Sequence, residues 1–167
     1  MSGFADNWRK TLQEVLVEQG VISETQLAEA LRKRHRSGAM LVEILVDEEY
    51  VAEKDLAGTI ALNYGWPFLD LERYDIDDDL CRTFPPGLMR QYGVIPVERI
   101  GDAMAIAAAG RVTPDIISEL EDVSGKRVFV YVSTLTQVRR MLARLPDSGR
   151  PRGRSGGSST GDDPTDP

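Results

Sequence analysis

A cysteine and a histidine offer the first possible chemistry in this chain: Cys81 and His35, each the sole residue of its type. A thiol–imidazole couple needs the two groups in hydrogen-bond reach, in surroundings that favour thiolate. Cys81 and His35 sit in different segments without a nucleophile motif, so both read as buried or surface filler. The run "DIDDD" at 75–79 is the densest set of oxygen ligands. It lacks the turn glycine and distal glutamate of a calcium loop, and acidic residues at a helix N-terminus account for it. Gly125-Lys126 is the only Gly-Lys step, and it is followed by Arg127. It falls after a helical stretch and before a strand, the reverse of a phosphate-binding loop. The sequence carries no Ser-His-Asp set, no metal-spaced Cys or His and no glycine-rich dinucleotide fingerprint. We therefore expect no catalytic or metal-ligating residues: a binding module, not an enzyme.

Composition narrows the partners. With 167 residues, 41% hydrophobic and 28% charged, the chain has the make-up of a soluble globular protein of one domain or two small ones. A net charge of −7 argues against a nucleic-acid binder, which would show a basic footprint. "RKRHR" at 32–36 is the candidate for a local basic patch. No apolar run reaches the ~18 residues of a membrane span. The N-terminus has no apolar signal core, and a lone cysteine suits a reducing compartment. The expectation is a cytoplasmic protein without direct membrane insertion.

The elements that would position a site are written twice. "LQEVLVEQGVISETQLAEAL" (12–31) and "LVEILVDEEYVAEKDLAGTI" (41–60) superpose at an offset of 29, Leu12 falling on Leu41 and Leu16 on Leu45. Apolar residues at 12, 15, 16 and 27, 30, 31 follow the i, i+3, i+4 spacing of a helix face. Gly20 suits a helix end, and "SETQ" at 23–26 is a capping box opening the next helix. Each copy is a helical hairpin that cannot bury its stripe alone, so the two should pack as a four-helix unit. Leu16, Leu27, Leu45 and Leu56 are the expected core.

"GWPFLDL" at 65–71 breaks this pattern and marks the exit from the helical unit. "DDDLCRTF" and "PGLMRQYG" read as a helix start and a helix ending at Gly93. "VIPVERI" and "AMAIAAA" around Gly101-Asp102 read as a β-hairpin. Thr113 caps a helix with Pro114 at its first position and Gly125 past its end. "RVFVYVS" reads as a buried strand, and "TLTQVRRMLARL" as an amphipathic helix. The fold class is α+β: a helical tandem-repeat part at 1–70, then a β-β-α-β-α part at 71–145. The tail at 146–167 has no apolar residue to offset chain entropy and is expected to be disordered.

The repeats, together with "LMRQYGVIPVERIGDAMAIAAAGRVTPDIISELEDVSGKRVFVYVSTLTQVRRML", resemble the amino-terminal domain of type II secretion and type IV pilus assembly ATPases. The resemblance covers roughly residues 8–145, without the P-loop motor. It implies a regulatory or docking module whose partner is a protein of a secretion, pilus or related envelope machine.

In one branch of that family, two tandem copies of a motif close to R-L-G-x-x-L-V-x-x-G-x-x-x-x-x-x-L-x-x-x-L-x-x-Q bind cyclic di-GMP. The resemblance therefore implies cyclic di-GMP as the possible ligand, and the candidate ligand-binding positions are those that match. The first copy keeps Leu12, Leu16, Val17, Gly20, Leu27 and Leu31, and the second keeps Leu41, Leu45, Val46 and Leu56. The opening Arg is replaced by Thr11 and Met40, the following Gly by Gln13 and Val42, and the closing Gln by Arg34 and Asn63. Glu49 stands at the second turn glycine. Thr and Met cannot stack on a guanine or grip a phosphate as a guanidinium does. Arg9, Arg34 and Arg36 are the basic residues placed to compensate.

Overall fold

Gly20 and Glu49, one repeat apart, share the left-handed backbone conformation, with φ of 68° and 58°. The computed structural model describes residues 9–145, so the expectation for 146–167 lies outside the described residues. Helix α1 (Leu12–Glu18) and α2 (Glu24–Ser37) form the first hairpin, α3 (Leu41–Asp47) and α4 (Glu53–Tyr64) the second. The turns match bond for bond. The Val21 amide donates to the Leu16 carbonyl at 2.9 Å, and Tyr50 to Leu45 at 3.0 Å. Gly20 to Val17 and Glu49 to Val46 are both 3.0 Å. Thr11 with Glu14, and Ser23 with Gln26, form capping boxes that satisfy the first amides of α1 and α2.

The two hairpins bury unequal faces. Leu16, Leu45, Leu56 and Ile60 are all but fully buried. Leu27 is only half-buried, and Ala30 is the one buried residue of α2, so the expectation that Leu27 is core is corrected. The reason is position. Helix α4 lies against the sheet half as well as α1, whereas α2 runs along α1 and α3 with its charged face to solvent.

The second half begins with a single 3-10 turn at Leu71–Arg73, then α5 (Asp78–Cys81) and α6 (Pro86–Tyr92). Strands β1 (Val94–Ile100) and β2 (Ala103–Ala108) pair antiparallel around Gly101, whose φ of 57° the tight turn requires. Helix α7 (Pro114–Ser124) crosses over to β3 (Arg127–Val132), which pairs parallel to β2, and α8 (Leu135–Ala143) closes the chain. Strand order is β1-β2-β3, so β2 is central and buried along its whole length. The expectation of a buried β3 is corrected. Val128, Val130 and Val132 are buried, but Arg127 and Phe129 are exposed, because successive side chains point to opposite faces and one face of β3 lacks cover there. The protein is thus α+β, with eight α-helices and a three-stranded sheet among the described residues. None of these helices is long and apolar enough to cross a membrane.

Polar contacts fasten the helical hairpins to the sheet half. "GWPFLDL" leaves α4 and runs beside β3: the Leu69 amide donates to Val132 O at 2.8 Å, and Val132 N–H to Pro67 O at 2.9 Å. Arg139 of α8 grips Asp47 of α3 through two 2.9 Å bonds and lies 3.6 Å from Glu43. Thr136 Oγ1 donates to Glu53 at 2.6 Å.

Candidate functional site

A cleft of about 380 Å³ opens where the two halves meet. One wall comes from the helical hairpins: Thr11, Leu12 and Gln13 at the start of α1, Arg34 from α2, and Met40, Leu41 and Val42 at the start of α3. The other comes from the sheet half: Gln91 and Tyr92 at the end of α6, Gly110, Arg111 and Thr113 in the loop after β2, and Ile116 of α7. These elements must meet here because each ends here. Thr11 and Thr113 are N-caps accepting from the amides of Glu14 and Ile116, and Gly93 ends α6 with φ of 61°.

The cleft gathers the positions at which the tandem motif has changed. Thr11 and Met40, Gln13 and Val42, and Arg34 all line it. Of the matching positions, only Leu12 and Leu41 do. Leu16, Leu45 and Leu56 are buried, while Val17, Leu27, Leu31 and Val46 pack half-buried against the same core. Gly20 makes the first turn. Arg9 and Arg36 are exposed and are not among the lining residues, and neither is Glu49. Asn63, the second copy's closing position, turns inward instead and exchanges hydrogen bonds with Gln19.

Met40, the N-cap of α3, and Val42 in its first turn lie close to two glycines of the sheet half. A β-carbon on Gly93 would lie 2.6 Å from Met40 Cε and 3.1 Å from its Sδ. One on Gly110 would lie 3.3 Å from Val42 Cγ1. Met40 therefore occupies space that a side chain at Gly93 would need, whereas a β-carbon at Gly110 would only press on Val42.

The sequence reading missed Arg111. Its Cζ lies 5.1 Å from the centroid of the Tyr64 ring, a cation–π distance, and Tyr64 in turn stands 5.3 Å from Trp66. Burial pushes the Tyr64 phenol up, with the Arg111 charge acting in the opposite sense, and its hydroxyl donates to Lys10 O at 3.0 Å. The available signal was a basic residue in a strand-to-helix loop, where the following helix N-terminus adds partial positive charge. Among the described residues, no carboxylate side chain is part of the cleft lining. Three carboxylates nonetheless bond to lining residues: Glu14 accepts from the Thr11 amide, Glu43 from the Met40 amide and Glu119 from the Tyr92 hydroxyl.

The other candidates resolve into local structure. Burial, reinforced by Asp78, pushes the Cys81 thiol up and away from thiolate, while His35 lies exposed in the last turn of α2. Asp77 caps α5, and Asp79 pairs with Arg82 at 2.9 Å. Among the described residues, no group of three or more His, Cys, Asp or Glu could hold a metal ion. Gly125-Lys126 ends α7, with Gly125 left-handed. A larger hollow of about 830 Å³ beside Cys81 and Phe84 is bordered by Leu145, where the described chain ends.

Known proteins resemble this chain. The chain is similar to the type IV pilus assembly ATPase PilB of Thermus thermophilus, 28% identical over 85% of this chain and 16% of the relative. PilB of Myxococcus xanthus is 24% identical over 80% of this chain and 24% of the relative. Bacteriophage adsorption protein B of Escherichia coli is 26% identical over 81% of this chain and 18% of the relative. The chain thus spans less than a quarter of the length of these curated relatives. A solved structure of MshE with cdg matches at 25% identity and a TM-score of 0.60, covering 83% of this chain and all of that one. The N-terminal domain of XpsE shares the fold, with a TM-score of 0.62 at 19% identity, over 81% of this chain and 94% of that one. The MshEN domain family matches residues 64–152, more than half of the sequence, so the chain belongs to the MshEN domain family.

Proposed function

We propose that this chain is a non-catalytic regulatory and docking module that works in the cytoplasm on a protein of a secretion, pilus or related envelope machine. Residues 1–70 and 71–145 are its two parts, and the cleft lies at their junction. The observation that carries the reading is modularity. The same stretch is similar to a small fraction of PilB and to a small fraction of a bacteriophage adsorption protein. A unit found in differently named proteins supports a role in attachment or control. The test is affinity capture of the full chain from lysate of its own organism, with partners identified by mass spectrometry. A recovered pilus or secretion component supports the reading, and repeated capture without one defeats it.

The rival reading, a cyclic di-GMP sensor, draws support from the convergence of both motif openings on one cleft, and from the solved structure of MshE with cdg. Against it stands the replacement of the motif's opening Arg by Thr11 and Met40 and of its Gly by Gln13 and Val42. Calorimetric titration with cyclic di-GMP separates the two.

A further inference from the structure

We draw no further inference here: the strongest candidate, the hollow of about 830 Å³ lined from α5, α6, α7 and α8 beside Cys81 and Phe84, opens at Leu145, the last described residue, and nothing in the structure shows what covers it.

Discussion

Gln19 and Asn63, 44 residues apart, exchange their side-chain amides. Gln19 Nε2 donates to Asn63 Oδ1 at 2.6 Å, and Asn63 Nδ2 donates back to Gln19 Oε1 at 3.1 Å. Asn63 also donates to the Thr59 carbonyl at 2.7 Å and is only 5% exposed. The pair ties the end of α1 to the last turn of α4. It explains why the equivalent positions Arg34 and Asn63 have parted company, one lining the cleft and one locking the hairpins together.

Truncating Asn63 removes a nearly buried amide and strands its partners. Asn63→Ala should cost about 1–3 kcal/mol in urea unfolding. Gln19→Ala should cost less, since the Gln19 side is exposed and water can replace it. The double variant should lose less than the sum of the singles, because the two residues are in direct contact. Strict additivity would mean that the amide exchange does not contribute.

Glu49 pays for its φ of 58°, a conformation that an L side chain adopts with strain. No side-chain hydrogen bond of Glu49 offsets it among those described, and the residue is exposed. Glu49→Gly should therefore stabilise the fold by about 1 kcal/mol, the usual difference between glycine and other residues at a left-handed position. Gly20→Ala should destabilise by a similar amount. A neutral result for both would show that the turns relax away from this geometry.

Arg139 and Asp47 give the link between α3 and α8 a pH dependence. The hydrogen bond from Arg139 holds the Asp47 carboxyl below its ordinary range. A carboxylate with a depressed folded-state value contributes stability above its unfolded value, and that contribution is lost as pH falls through the folded value. Arg139→Ala should therefore be less stable than the parent near neutrality, and the difference should shrink in acid below the usual carboxylate range. Both side chains are substantially exposed, 41% and 56%, so the neutral-pH difference should not exceed about 1 kcal/mol and should diminish with added salt. A difference constant from pH 7 into acid would assign the effect to packing by the arginine stem.

Much of this architecture is legible in local chemistry. The capping residues Thr11, Ser23 and Thr113, the stop at Gly125 and the Gly101 hairpin turn all act within a few residues of themselves, so spacing reveals them. What spacing cannot reveal is which copy of a repeat meets the rest of the protein. Nothing in "GWPFLDL" announces that Leu69 will bond to Val132, and nothing in "RVFVYVS" states that one face of β3 will lack cover. The cleft has the same character. Arg111 and Arg34 are far apart in sequence, and only the docking of the two halves brings them to facing walls.

The repeat itself supplies the most direct test of that asymmetry. Leu27 and Leu56 occupy the same position of the two copies, yet Leu56 is 2% exposed and Leu27 only half-buried. Leu56 packs within the continuous core that joins hairpins and sheet, so Leu56→Ala leaves a hole surrounded by side chains that cannot all move in. The expected loss is about 2–5 kcal/mol. Leu27 lies on α2, whose other side faces water, so part of its surface is already hydrated and a cavity there opens to solvent. Leu27→Ala should cost about 1 kcal/mol, less than half the Leu56→Ala loss. Chemical denaturation of the two variants beside the parent measures both. Equal losses would mean that the hairpins bury their stripes symmetrically and that α2 is as central as α4.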